Sequence, residues 1–225
     1  MNWTELGQFI GNLIVMCFVI YTTIKAGIKK YGNSIIFNQD NKKTDVMEHN
    51  KTNLQIQERL DNIRELLNAD SARVHLIHNG SHYLSGVSSL KVNCAWEALK
   101  YGIKSYQIML NEVPVTISAA FIEKLWEKTL INCPDLEHCI NLPENIYKLA
   151  PFASIEKAIG NQALSAILLY DDDRSPIGFI TIGYENKDSF IENNAELYKL
   201  ATFIEDKLHD LVVIDQDTKK KTKSR

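Results

Sequence analysis

The sequence predicts an α+β domain built on a central antiparallel sheet that is flanked by helices. Three observations predict it: period-two alternation in residues 72–78, an apolar hairpin in residues 163–184, and amphipathic helices before the first strand and after the hairpin. This order of elements is typical of an antiparallel sheet with segregated helices. At 225 residues, the chain is long enough for one well-packed domain and an appendage.

The first strand is predicted to end at His78, because Asn79-Gly80 follows and both residues tolerate positive φ. A polar segment then continues to Gly86. Ring-bearing polar residues gather at or just past this strand end, namely His75, His78, His82 and Tyr83. Binding groups tend to lie on loops held by a rigid strand, so we expect a ligand site here.

The middle of the chain predicts shorter elements. Residues 91–99 read as a second strand that runs into a short helix or turn, and residues 115–130 carry apolar side chains at helical spacing. The stretch from Leu130 to Pro151 contains three prolines and is expected to be mostly irregular with short extended pieces. A further short helix is expected over residues 152–160.

The clearest hairpin joins residues 163–170 to residues 177–184 through a polar connection that ends at Pro176. Both runs are almost continuously apolar, which indicates central strands covered on both faces. The connection contains three adjacent aspartates, Asp171 to Asp173. We interpret them as a solvated turn rather than a metal site.

Two helices carry apolar seams. The first helix has apolar side chains at spacings of four, three and four, and the last begins after Asn193 or Asn194. Both are expected on the same face of the sheet. The seams suit packing on their own domain or a homodimer, and the dimer interpretation assigns the interface to Ile56, Leu60, Ile63, Leu67, Ile204 and Leu208.

The amino-terminal segment predicts a single transmembrane helix and hence a lipid bilayer as partner. Leu6 to Ile28 is free of charge through Ile24 and is close to the roughly 20 residues that cross a bilayer. A retained anchor is favoured over a signal peptide, because Glu5 and no basic residue precede the run. Lysines from Lys25 onwards follow it, so we expect an inner-membrane protein with its domain in the cytoplasm.

The cysteines are expected to be free thiols, which suits a reducing compartment. Cys133 and Cys139 are also candidates for a disulfide or, with neighbouring acids and His138, a metal loop, but their spacing matches no zinc pattern. The expected organisation is an anchor at 1–30, a linker at 31–43, a domain at 44–214, and a basic disordered tail at 215–225 that could contact anionic lipid. The net charge of -3 gives no reason to expect nucleic-acid binding.

Residues 44–213 resemble a GAF domain, a sensory α+β fold. The similarity rests on the helix that leads into residues 69–74, on the hairpin segment Ser175 to Ile180, and on the amphipathic helix after it. The segment His78-Asn79-Gly80 also resembles GAF-like proteins encoded by phages. The resemblance implies a small-molecule pocket between the sheet and the connecting segments, and dimerisation through the first and last helices. It implies no particular ligand or cofactor.

A second resemblance is to holins of T-even-type phages, which share the layout of one early membrane helix, a helical neck and a soluble α/β domain. Those proteins place a basic segment before the membrane helix, whereas the basic residues of this chain follow it. The resemblance implies a lysis protein with a regulatory soluble domain.

The chemistry of the sequence favours binding over catalysis. P-loop, dinucleotide and G-x-S-x-G patterns do not occur, so no enzyme is expected. The spacing of the histidines near the first strand would align them on a helix and not on a strand, so no metal site is expected. The predicted function is a membrane-tethered GAF-like sensory or binding module, with a holin-like lysis protein as the alternative. Its predicted ligand-binding residues are His78, Asn79, Ser81, His82, Tyr83, Cys94 and Trp96.

Overall fold

The computed structural model describes residues 46–82, 88–109, 113–141 and 150–223. The chain divides into two units at residue 50, and the fold below is that of the second unit. The predicted membrane anchor and linker lie outside the described residues. Within the described ranges, the helices are all too short or too polar to span a bilayer.

Six strands form one antiparallel sheet. They are β1 (Ser71–His82), β2 (Ser88–Leu99), β3 (Val113–Pro114), β4 (Leu130–Cys133), β5 (Ala163–Tyr170) and β6 (Pro176–Tyr184). Their order across the sheet is β3-β2-β1-β6-β5-β4. The strand β1 therefore lies in the middle, paired with β2 on one side and β6 on the other. The predicted α+β class and the late hairpin are confirmed.

Within the described ranges, six α-helices accompany the sheet. They are α1 (residues 46–66, of which 51–66 belong to the second unit), α2 (Tyr106–Met109), α3 (Val115–Lys128), α4 (Leu136–Asn141), α5 (Ala150–Ala158) and α6 (Asn194–Lys223). Buried residues of α1 and α6 share one apolar core with one side of the strands. Buried residues of α3 and α5 share a second core with the other side, next to a small cluster that includes Tyr106 of α2. The central strands are thus covered on both faces.

The residues of the predicted dimer seam are mostly buried within the single chain. Ile56, Leu60, Ile63, Leu67 and Ile204 are at most 1% exposed in the single chain, and Leu208 packs partly buried against the same core. An apolar stripe at helical spacing fits either a second copy or an apolar sheet face. Here the sheet of the same chain supplies that face for the five buried side chains, whereas Leu208 is partly exposed.

The predicted end of the first strand is also wrong, because β1 continues to His82. Its pairing with β2 extends to Asn79 opposite Leu90 and His82 opposite Ser88, with an irregularity between these two pairs. The partner strand begins at Ser88 rather than at residue 91 and so supplies backbone partners beyond His78. Asn79-Gly80 therefore lies at an irregularity within a longer hairpin and does not form the turn of that hairpin.

Two further segments differ from expectation. The stretch expected to be mostly irregular contains the short helix α4, which was not predicted, besides the edge strand β4, which is one of the short extended pieces expected. The tail expected to be disordered is helical through Lys223, where α6 ends. From Asn194 onwards the sequence has no glycine or proline, and acids precede lysines by four residues at Asp215 and Asp217, a spacing that favours a helix.

One cysteine prediction is corrected as well. Cys133, at the end of β4, is disulfide-bonded, and the side chain of its partner is outside the described part of the chain. Cys94 is free and buried. The expectation of a free thiol is therefore wrong for Cys133 and confirmed for Cys94.

Candidate functional site

A β-bulge in β2 decides which side chains face the α3 and α5 side of the sheet. The pairing of β1 with β2 places Val74 opposite Trp96 and then His75 opposite Cys94, so Ala95 has no partner of its own. Residues two apart on a regular strand share a face, but an extra residue between them reverses this. Cys94 and Trp96 consequently lie on opposite faces.

The two faces give these residues different neighbours. Trp96 packs against the core formed with α1 and α6, whereas Cys94 clusters with Tyr106 on the opposite face. The carbonyl oxygen of the bulged Ala95 accepts a hydrogen bond from Gln107 Nε2 at 2.8 Å, which ties α2 to the bulge. The structure therefore does not bring the predicted ligand residue Trp96 together with Cys94.

Arg73 is the centre of a polar cluster on the Cys94 face. It lies on β1 and is fully buried. Its Nη1 donates to Ser71 Oγ at 2.7 Å, and its Nη2 donates to the carbonyl oxygen of Lys104 at 3.5 Å. Its Nε lies 3.6 Å from Glu97 Oε2, and its guanidinium carbon lies 5.7 Å from the centre of the Tyr106 ring. The guanidinium is thus paired with one carboxylate and held by two further oxygens.

Glu97 organises the start of α2. Its Oε2 accepts the backbone N–H of Tyr106 at 2.8 Å, and its Oε1 accepts the hydroxyl of Ser105. The side chain is 7% exposed. One carboxylate therefore both balances Arg73 and fixes the helix that brings Tyr106 over the guanidinium.

His75 follows on the same strand and is fully buried. Its Nε2 lies 3.1 Å from Thr181 Oγ1, and its ring stacks on Phe179 at 4.7 Å and meets the edge of Tyr106 at 5.0 Å. Burial, helped by the charge of Arg73, lowers the pKa of His75 from 6.5 to about 3. The imidazole is therefore neutral at physiological pH, and its Nδ1 is buried without a hydrogen-bond partner.

Glu156 brings a second carboxyl group to the cluster from α5. It is fully buried, and its Oε2 accepts a hydrogen bond from Asn161 Nδ2 at 2.6 Å. A Cβ at position 183 would collide with the Asn161 side chain, so Gly183 on β6 makes room for that donor. Burial raises the pKa of Glu156, opposed by attraction to Arg73 and by the Asn161 hydrogen bond. Its Oε1 has no hydrogen-bond partner.

The cluster thus holds one guanidinium, two carboxyl groups and one neutral imidazole. Buried polar atoms without partners are rare in folded proteins, and each calls for an explanation such as a water or a ligand. Three such atoms, Arg73 Nε, His75 Nδ1 and Glu156 Oε1, belong to side chains with no exposure, and Arg73 Nε lies 3.6 Å from Glu97 Oε2. Within the described ranges, no three histidine, cysteine or carboxylate side chains are placed to hold a metal ion.

The residues predicted from sequence lie farther along β1. His78 is half-buried, Asn79, Ser81 and His82 belong to the strand with side chains that the structure does not describe, and Tyr83 is outside the described residues. Their role in ligand binding remains a prediction.

Sequence reasoning missed Arg73, Glu97 and Glu156. One signal was available in the sequence. Arg73 is a charged residue on a central strand, and a central strand covered on both faces buries the side chains of both faces, so Arg73 would be buried.

The buried His75 predicts acid-sensitive stability. Below pH 6.5 the unfolded chain binds a proton at this imidazole, whereas the native protein does so only near pH 3, so acidification favours unfolding. The free energy of unfolding should fall by up to about 1.4 kcal/mol per pH unit in this window. The raised pKa of Glu156 acts in the opposite direction, because the native state holds that proton more tightly.

Urea unfolding at a series of pH values tests this in full-length protein. The His75→Phe variant retains a ring against Phe179 and should lose part of the acid sensitivity. His209→Phe is the matched control, because the side chain of His209 is 53% exposed. Parallel pH profiles for His75→Phe and the parent would contradict the assignment.

Comparison with known proteins supports the fold. The chain is similar to a far-red cyanobacteriochrome photoreceptor, with 8% identity over 80% of this chain and 97% of that chain, at a TM-score of 0.50. It is also similar to the PixJ GAF domain of Thermosynechococcus elongatus, with 13% identity over 78% and 92% of the two chains and a TM-score of 0.48. GAF3 of Slr1393 from Synechocystis sp. PCC6803 has 10% identity over 77% and 99%, with a TM-score of 0.48.

No protein family model matches the sequence. No curated protein matches it significantly either. The similarity to the far-red photoreceptor shows the fold, a GAF-like α+β domain with a six-stranded antiparallel sheet flanked by helices.

Proposed function

We propose that this protein is a sensory or binding module that holds a small molecule at the cluster of Arg73, His75, Glu97 and Glu156. The observation that carries the proposal is the pair of fully buried, unpartnered atoms His75 Nδ1 and Glu156 Oε1. A small polar molecule at this place would satisfy atoms that the protein leaves without partners. GAF-like folds in photoreceptor neighbours support a sensory role.

The proposed module binds rather than catalyses. The thiol of Cys94, on the same face of the sheet, has a pKa raised by burial and by the charge of Glu97, so it stays protonated and unreactive. His75, with its pKa lowered to about 3, is a poor general base at neutral pH.

The contacts of the cluster suggest a route for its output. The backbone carbonyl of Glu97 accepts a hydrogen bond from Gln57 Nε2 of α1 at 2.9 Å, while the Glu97 side chain faces Arg73. Val74, between Arg73 and His75, belongs to the core that α1 shares with the sheet. A ligand that shifts Glu97 would therefore act directly on α1, the helix closest in sequence to the amino-terminal segment.

That segment, Leu6 to Ile28, is proposed to tether the module to the membrane, as its uncharged run indicates. The lysines that follow favour a cytoplasmic domain, and the disulfide at Cys133 opposes it. Labelling of Ser224→Cys by a membrane-impermeant thiol reagent in intact cells, with exposed native cysteines replaced, decides the orientation. Protection supports a cytoplasmic domain, and labelling contradicts it.

The His78-Asn79-Gly80 segment is the basis for proposing a phage origin, and the holin-like alternative gains no support from the structural neighbours.

Native mass spectrometry of the full-length protein in detergent tests ligand binding. We expect a reproducible additional mass that is released on unfolding. The His75→Phe variant, which loses Nδ1 but keeps a ring on Phe179, should retain less of it, and the surface control His209→Phe should retain as much as the parent. A parent protein that carries no additional mass and gains none from a small-molecule extract would contradict the proposal.

A further inference from the structure

The charges around the cluster narrow the chemistry of its ligand. Arg73 supplies one positive charge, whereas Glu97 and Glu156 supply two carboxyl groups, and both acids are attracted to the same guanidinium. His75 adds no charge at neutral pH, because burial keeps its imidazole neutral. Burial raises the pKa of Glu156, so its ionised form, a second buried negative charge beside Glu97, requires a positive charge beyond that of Arg73.

We propose that the site takes a small molecule that carries a cationic amine, and that the amine binds Glu156. This inference rests on the proposed function and specifies its ligand class. The unpartnered Oε1 of Glu156 is a fully buried acceptor, and an ammonium group offers three N–H donors and no acceptor. A hydrogen bond between a carboxylate and an ammonium group is charge-assisted and therefore strong.

His75 supports the same choice. When its Nε2–H donates to Thr181 Oγ1, 3.1 Å away, Nδ1 is an acceptor. Of the three unpartnered atoms in the cluster, His75 Nδ1 and Glu156 Oε1 then both accept hydrogen bonds, whereas Arg73 Nε is a donor that lies 3.6 Å from Glu97 Oε2. A ligand rich in N–H donors matches the two acceptors, whereas a ligand with only acceptor oxygens matches neither of them.

An anionic ligand fits poorly. The guanidinium of Arg73 already donates to Ser71 and to the Lys104 carbonyl, and its Nε, which makes no hydrogen bond, faces Glu97 Oε2 at 3.6 Å. The charge of Glu156 helps to raise the pKa of both Tyr106 and Cys94, so its carboxyl group lies close to these two side chains of the cluster. A bound carboxylate or phosphate would meet two acidic groups and no free cation among the described cluster residues.

A panel of size-matched probes tests the ligand class on full-length protein in detergent. The probes are propylamine, propionate, propanol and alanine, and the readout is the thermal unfolding midpoint with increasing probe concentration. We expect propylamine to raise the midpoint, alanine to raise it less because its carboxylate meets the two acidic groups, and propionate and propanol to leave it unchanged. The Glu156→Gln variant should bind the amine about tenfold more weakly or worse, since a buried charge-assisted hydrogen bond is lost.

The surface variant Glu137→Gln is the matched control, because the Glu137 side chain is 68% exposed, and it should respond like the parent. Stabilisation by propionate and not by propylamine would overturn the amine class while leaving small-molecule binding at the cluster intact. An absence of any amine response, together with a Glu156→Gln variant more stable than the parent at neutral pH, would also overturn it, because Glu156 would then carry its own proton. Native mass spectrometry of the parent distinguishes these results from a failure of the proposed function, because it reports whether the protein binds any small molecule at all.

Discussion

Replacement of Arg73 with methionine is expected to lower the free energy of unfolding by about 3–5 kcal/mol, the range found when one partner of a buried ion pair is removed. Methionine keeps most of the apolar stem but leaves Glu97 and Glu156 without their cation. The donors to Ser71 and to the Lys104 carbonyl are lost as well. Urea unfolding of the full-length protein at neutral pH measures the change.

Arg64→Met is the matched control. Arg64 on α1 pairs with Asp61 at 3.6 Å and with Glu65 at 3.2 Å, but the side chains of these acids are 46% and 71% exposed. Such solvated pairs contribute about 1 kcal/mol or less. Equal losses for the two arginine variants would mean that Arg73 is not balancing buried acids.

The second large effect concerns the α1 seam. Leu60→Ala should lower the free energy of unfolding by about 2–5 kcal/mol, because Leu60 has no exposure and packs in the core beneath the sheet. Leu54→Ala on the same helix is the control, since Leu54 is 63% exposed and should change the free energy by about 0.5 kcal/mol or less. Urea unfolding measures both variants.

The same pair of variants separates a core from a dimer seam. A seam between two copies would make the unfolding midpoint of the parent depend on protein concentration, and the Leu60→Ala change would alter that dependence. A midpoint independent of concentration, with a large loss only for Leu60→Ala, is the result expected from burial within one chain.

Local pattern predicted much of this fold. The strand β5 begins and ends where its apolar run does. The first residues of α3 and α5 lie within two residues of the predicted first residues. Asn193 caps α6 as expected, with its Oδ1 accepting the Glu196 N–H at 3.3 Å. These features depend on side-chain periodicity and capping, which short stretches of sequence contain.

The site could not be predicted in the same way. Arg73, Glu97 and Glu156 are far apart in sequence and meet only because β1 pairs with β2 and α5 covers that face. The bulge at Ala95 turns Cys94 toward the cluster and Trp96 away from it. The alternation of apolar and polar residues in β2 does not indicate this bulge. The end of β1 was missed because backbone partners from β2, rather than its own residues, extend it.

The central claim is that Arg73 and Glu156 belong to one buried electrostatic unit, and a double-mutant cycle tests it most directly. Urea unfolding of the parent, Arg73→Met, Glu156→Gln and the double variant gives the coupling free energy between the two side chains. We expect a coupling of about 1 kcal/mol or more, because loss of Arg73 matters less once Glu156 is neutral. Effects that add to within about 0.5 kcal/mol would contradict the account, since the two groups would then act independently.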